Sequence, residues 1–254
     1  MTCTAIVLAG SRPGPDAFAA SFGTDLKALI PVAARPMVAW PVAALLQSSS
    51  IGQVVVLAQQ PHRIAPVLPD DDRIVTRRSK DTIAETILAL VDEPDLKWPL
   101  LVTTADHVLL TSSTIDDFCK QASASQVAIG VVVRRALLNR LPATRRTWLK
   151  FRGDAYTGAN LFFLASPAVR PAIEVWRSVE QDRKKAWRVV SLTGPFVLLM
   201  AALRLITLDQ LLSRLSDRLA LKIRAIRLTD PLAGVDVDKP ADHELVEAII
   251  AGKA

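Results

Sequence analysis

The 254-residue chain has only two cysteines, Cys3 and Cys119, and neither belongs to a CxxC pair or to a Cys/His cluster. A disulfide scaffold and a structural zinc site are therefore not expected. Histidine is as scarce, with His62, His107 and His243 far from one another and from cysteine. Aromatic residues make up 5% of the chain, with a single tyrosine. No basic patch interleaved with aromatics is present, so no nucleic-acid partner is expected. Ten glycines and sixteen prolines are too few for a collagenous or low-complexity chain. Long apolar runs are missing as well. The first stops after Thr4 to Ala9 and has no basic residues before it, unlike a signal peptide, so a cytoplasmic protein is expected. The most apolar stretch, Pro195 to Thr207, is interrupted by Arg204 and falls short of the ~20 residues of a spanning helix.

What is present is ample core material. Half the residues are apolar and 22% are charged, which fits one globular domain over 1–254. The net charge of +6 favours anionic partners. Runs apolar on consecutive positions recur at Thr4 to Ala9, Gln53 to Ala58, Leu100 to Thr103, Val127 to Val133 and Asn160 to Leu164. Such runs suit strands buried on both faces. With helical patterns between them they predict an α/β fold, a three-layer sandwich whose mixed, mostly parallel sheet is flanked by helices. Ser79 or Asp81 is the expected cap of a helix reaching Val91, Thr114 of a second, and Thr207 with Gln210 has capping-box spacing before a third. Pro41 places the start of a regular helix near itself. Residues 183–227, basic and aliphatic, are expected to form a helical insertion or subdomain.

The first strand runs into Leu8, Ala9, Gly10, Ser11, Arg12, Pro13 and Gly14, and Lys27 follows just before Ala28, Leu29, Ile30, Pro31 and Val32. A glycine loop at the carboxyl end of a parallel strand leaves backbone N–H groups open to a phosphate. The spacing is neither GxGxxG nor GxxxxGK[ST], which excludes the standard dinucleotide and P-loop fingerprints. Asp106 closes the strand LLVTT, beyond whose carboxyl end open α/β sheets bind ligands. Asp236 and Asp238 lie in GVDVDKPADHELVEAI, two positions apart and so on one face of an extended segment.

Leu8-Ala9-Gly10, then Lys27, Leu29, Pro31, Val32, Pro36 and Met37, then Asp106, then GVDVDKP, occur in an order that resembles the GT-A-type nucleotidyltransferases. That superfamily includes the sugar-1-phosphate nucleotidylyltransferases, the molybdopterin-guanine transferases and the cytidylyltransferases. The resemblance implies transfer of NMP from an NTP, CTP being favoured, to a phosphorylated small molecule such as a phosphoalcohol, polyol phosphate or sugar phosphate, with release of pyrophosphate. It implies that Leu8, Ala9, Gly10, Ser11 and Lys27 bind the nucleotide, and that Lys27 and Arg12 act in catalysis. Mg²⁺ is then held by Asp106 and Asp238, with Asp236 as the other candidate ligand. Phosphoryl chemistry between two anions does require a cation on oxygen ligands and a basic side chain beside it.

Two features depart from the family pattern: Ser11 stands where a second glycine is usual, and Arg12 is the nearest substitute for its arginine. Ser79 with Lys80 is placed either at the base or at a helix cap. Lys150, Tyr156, Thr157, Gly158 and Asn160 resemble the acceptor-binding segment, and Arg145, Arg146 and Lys150 are candidates to clamp the acceptor phosphate. A glycosyltransferase of the same fold and a non-catalytic nucleotide- or membrane-binding module are the alternatives. For 183–227, burial in the core, a homodimer interface, and peripheral contact with anionic lipid at the inner membrane face remain open.

Overall fold

The computed structural model describes residues 2–10, 14–181, 200 and 203–253. Its main sheet is built from β1 (Cys3–Leu8), β4 (Ile51–Ala58), β5 (Ile74–Arg78), β6 (Leu100–Thr104), β7 (Val127–Val133), β9 (Ala155–Leu164) and β10 (Ile223–Arg227). They lie in the order β10-β7-β9-β6-β1-β4-β5, and a short β8 (Leu149–Lys150) pairs with β9. A hairpin of β2 (Pro31–Val32) and β3 (Arg35–Pro36) stands apart from it. Every pairing in the main sheet is parallel except those of β9, which runs antiparallel to β6, β7 and β8. This is the mixed, mostly parallel α/β sheet expected from the apolar runs.

The consecutive apolar residues are explained by the two faces of the sheet. Ala5 and Val7 point into one core, with Phe118 and Cys119 of α5 (Ser112–Ala122) and Val42 and Leu45 of α2 (Ala39–Gln47). Ile6 between them joins Val55, Leu57 and Val102 in the other core, with Ile87 and Val91 of α4 (Ile83–Val91) and Ile173 of α7 (Arg170–Gln181). Thr4 is the one hydroxyl-bearing residue on β1, and it too is buried. At roughly 25 cal/mol per Å² of apolar area removed from water, these two layers supply the main drive for folding. Cys3 and Cys119 meet in the first core with sulfurs 3.9 Å apart, as free thiols.

Local signals were legible to within a turn. Thr82, not Ser79 or Asp81, caps α4, its hydroxyl accepting from Glu85 N at 3.1 Å. Thr111, not Thr114, caps α5 by accepting from Thr114 N. In both cases the capping residue has extended backbone and sits three before the N–H it serves, the geometry a cap requires. The capping box at Thr207 and Gln210 is present and opens α8 (Leu208–Leu219). Pro41 is the third residue of α2, where its missing N–H costs no helical bond.

Of the segment 183–227, expected as a helical insertion or subdomain, the described residues include α8 and a strand. That strand is β10, which extends the main sheet beside β7 and carries α8 packed against it. Residues 182–199 and 201–202, where most of the aliphatic run falls, lie outside the described residues, and so do Ser11, Arg12 and Pro13. Among the described residues no helix is long and apolar enough to cross a membrane.

Candidate active site

Three segments far apart in sequence converge beyond the carboxyl ends of β1 and β6. The first is the stretch after Leu26. It closes on itself, with Met37 N bonded to Ile30 O at 2.9 Å and Val38 N to Ala28 O at 3.0 Å. Ala28, Ile30, Val32 and Met37 are buried beneath it, so Lys27 is presented from a fixed support. The second segment continues β6, where Ala105 N bonds Leu8 O at 3.0 Å and Thr104 Oγ1 donates to Asp106. The third is the strand-like 235–238, fastened when Val237 N donates to Asp106 O at 3.1 Å.

Their side chains meet at Lys27. Its Nζ donates to Asp106 Oδ2 at 2.7 Å and to Asp238 Oδ1 at 2.6 Å. Asp106 and Lys27 are mostly shielded from solvent, whereas the Asp238 side chain is 62% exposed. Burial works against the Lys27 charge, but the Asp106 and Asp238 carboxylates outweigh it and lift its pKa above the ordinary lysine value. The ammonium therefore stays charged at neutral pH. Two carboxylates face one point already held by a cation, and Mg²⁺ commonly takes one or two carboxylates, completing its shell with water and phosphate oxygens. The donor set fits Mg²⁺ in that sense. Among the described residues no cluster of three or more acidic, histidine or cysteine ligands is present, so a site furnished wholly by protein is not formed there.

Asp236, the other candidate ligand, is engaged elsewhere. Arg146 donates to its carboxylate and, at 3.0 Å, to its carbonyl, and Asn160 Nδ2 donates to Oδ2 at 3.2 Å. Arg146 also lies 3.5 Å from Asp242, whose other oxygen accepts from Asp238 N at 3.3 Å. The Arg146 side chain is 9% exposed. It is thus buried between two carboxylates and shapes the loop that carries Asp238, which corrects its expected part in clamping an acceptor phosphate. Burial holds the Asp236 carboxyl above the usual range despite Arg146. Sequence reasoning missed Asp242 and Arg146 as a pair; the i,i+4 spacing of Asp238 and Asp242 was the available signal.

A further support comes from α9 (Pro240–Ile250), which follows Lys239. His243 Nε2 contacts Pro31 O at 2.7 Å, and Glu247 Oε1 accepts from Ala33 N at 3.0 Å. Ala33 and Ala34 both have positive φ, as a two-residue type I′ hairpin turn demands. The late motif thereby locks the hairpin that follows Lys27.

The remaining expected residues fall into three groups. Leu8, Ala9 and Gly10 leave the carboxyl end of β1, and a Cβ on Gly10 would come within 3.0 Å of the Gln59 side chain. Ser79 follows β5 at the same edge, its N bonded to Ala58 O and its buried hydroxyl without a hydrogen-bond partner among the described residues. Along β9, Tyr156 and Thr157 are buried, Tyr156 beneath the Arg227 guanidinium at 5.4 Å. The family-like acceptor segment exposes Gly158 and, partly, Asn160. Lys150 is exposed on β8. Ser11 and Arg12 lie outside the described residues.

His107, next to Asp106, is 1% exposed and shares a hydrogen bond with Thr103 Oγ1 at 3.2 Å. Desolvation pushes its pKa down to about 4, although Asp106 pulls the other way. It is neutral at pH 7 and takes no part as an acid. Its pKa is lower in the folded chain than in the unfolded one, so its stabilising effect is complete above about 6.5 and is lost as the pH falls towards 4. Without divalent cations, urea unfolding should show about 3 kcal/mol of stability disappearing over that window. His107→Gln should flatten the slope; an unchanged slope would mean that other groups cause it.

The sheet is thus a mixed, mostly parallel α/β one with a basic side chain and two acidic ones meeting at its carboxyl edge. The model of the MobA-like NTP transferase domain matches residues 5–195, and the chain belongs to that family. It is 30% identical to a hypothetical transferase from Thermus thermophilus, at a TM-score of 0.81, covering 96% of this chain and 100% of the other. At a TM-score of 0.62 it resembles 4-diphosphocytidyl-2C-methyl-D-erythritol synthase from Anaerococcus prevotii, 10% identical, over 98% of this chain and 96% of that one. The same score relates it to CMP:2-keto-3-deoxy-manno-octonic acid synthetase complexed with CTP, 14% identical and covered in full on both sides. These last two likenesses concern the fold. No protein of curated function matches the chain.

Proposed function

We propose that the protein is a Mg²⁺-dependent nucleotidyltransferase that moves NMP from an NTP to a phosphorylated small molecule and releases pyrophosphate. The observation that carries this reading is the convergence of Lys27, Asp106 and Asp238 from three separate segments on one point. In the free protein Lys27 balances the two carboxylates. Asp106 and Asp238 are the residues that would hold Mg²⁺, and the Lys27 ammonium is placed to bind the NTP phosphates and stabilise charge on the leaving pyrophosphate. Bound Mg²⁺ supplies charge neutralisation between the two phosphate-bearing reactants. The acceptor phosphate is already ionised and attacks the α-phosphorus in line, so no general base is required.

Gly10 keeps the backbone at the end of β1 free of a side chain of its own, so that its N–H can approach a phosphate, and the Ser79 hydroxyl, unpartnered among the described residues, offers the base a hydrogen bond. Asn160 and Gly158 line the acceptor side. CTP is favoured, in keeping with the CTP-bound neighbour at the level of fold. The acceptor is a phosphoalcohol, polyol phosphate or sugar phosphate.

Four NTPs tested against a panel of phosphate monoesters, with Mg²⁺ and pyrophosphate detection, should give release that depends on both substrates and stops with EDTA. CTP should exceed the other three. Release independent of the monoester would indicate a hydrolase and refute the transfer reading.

A further inference from the structure

At the same carboxyl edge of the sheet, where β7 turns into α6 (Arg134–Arg140), lies a cavity of about 570 Å³. Arg134, Arg135, Lys150 and Arg204 line it, with Asp154 as the single carboxylate and Phe151 on the wall. The lining thus carries an excess of three positive charges. Among the described residues none of the four cations forms an ion pair; Arg134 stacks 5.8 Å from the Trp148 ring. Asp154 accepts a hydrogen bond from Ala155 N at 2.8 Å instead.

Exposed apolar side chains flank two of these cations in sequence. Of the large hydrophobic side chains exposed among the described residues, Leu149, Leu203 and Leu205 are immediate sequence neighbours of Lys150 and Arg204, at 55%, 58% and 49% exposure. Together they form the interface pattern in which apolar side chains enter the acyl boundary while basic heads meet phosphate.

We infer that this surface docks on an anionic phospholipid bilayer, with a lipid phosphate seated among Arg134, Arg135, Lys150 and Arg204 and with Leu149, Leu203 and Leu205 in the interface. The active-site edge then faces the membrane. The inference does not depend on the chemistry proposed for Lys27, Asp106 and Asp238.

The test is co-sedimentation with phosphatidylcholine vesicles that contain or lack phosphatidylglycerol, at low and high salt. Binding is expected only with phosphatidylglycerol and should weaken as salt rises. Each cation near an anionic surface adds about fivefold in affinity, so R134E/R135E should weaken binding by more than tenfold. Glutamates at the first two positions of α6 suit its helix dipole, so this variant should fold. A second variant, L203S/L205S, should weaken binding while keeping its salt dependence. Soluble glycerol 3-phosphate at millimolar concentration should not displace the unaltered protein from the vesicles. No sedimentation at low salt, equal binding by R134E/R135E, or displacement by glycerol 3-phosphate with no effect of the leucine changes would overturn the inference. Pyrophosphate release is assayed in the same preparations without vesicles, so that a failure of docking is distinguished from a failure of the proposed reaction.

Discussion

Lys27→Met is expected to lower kcat/KM for the NTP by about 10²- to 10³-fold, the cost of removing one preorganised charge from a developing anion. Methionine keeps the aliphatic stem of Lys27 but leaves Asp106 and Asp238 facing each other across the vacated point, no farther apart than their two bonds to Nζ allow. The free variant should therefore melt at a lower temperature in EDTA. Mg²⁺ alone should raise its melting temperature more than that of the unaltered protein, because the ammonium no longer competes for the carboxylates. A small change in kcat/KM with normal metal response would remove Lys27 from the reaction. The same geometry revises what is expected of Asp106→Ala. From the sequence, loss of one carboxylate of a close pair would relieve repulsion; with Lys27 bonded to both, it also removes an ion pair, and a modest fall in stability is expected.

The second large effect is expected at Arg146. Breaking a buried ion pair by removing one partner typically costs about 3 to 5 kcal/mol, because the remaining charge stays out of water. Arg146→Met strips the cation from both Asp236 and Asp242, whose side chains are 25% and 10% exposed. The Asp236 carboxyl, already raised by burial, should rise further. A group whose pKa is higher folded than unfolded favours the folded state at low pH and loses that contribution as the pH climbs through its folded value. The variant should thus be most destabilised at neutral pH and recover part of its stability as the solution is acidified. R146M/D236N should restore much of the loss at pH 7. Urea titrations at pH 5 and 7 measure both effects, and equal destabilisation at the two pH values without rescue would place the cost in packing, not charge.

The sequence made the buried parallel strands and the three motifs legible, because each is a local pattern: an unbroken apolar run, a glycine after it, a carboxylate at a strand end. Lys27, Asp106 and Asp238 were accordingly found in the right order before their contact was known. Other features depend on contacts that no window of sequence contains. β5 reads IVTRR, only partly buried at the sheet edge, and lacks the apolar run that marked the central strands. β10 reads IRAIR with both arginines exposed, and its place beside β7 is a matter of topology. Arg146 looked like a surface phosphate clamp because its partner Asp236 lies 90 positions away. Tyr156 belongs to a motif that resembles an acceptor site, but the pleat of β9 turns its ring into the second core.

The central claim is that the α-phosphorus of an NTP is attacked at the point where Lys27, Asp106 and Asp238 meet. The most direct measurement follows two labels, one on the α- and one on the γ-phosphate, in the NTP and phosphate monoester that react best. The account predicts that the α label appears in the acceptor product and the γ label in pyrophosphate, and that both transfers vanish in Asp106→Ala and Asp238→Ala variants that remain folded. Appearance of the γ label in the acceptor or as free phosphate, or undiminished α transfer by either variant, would contradict it.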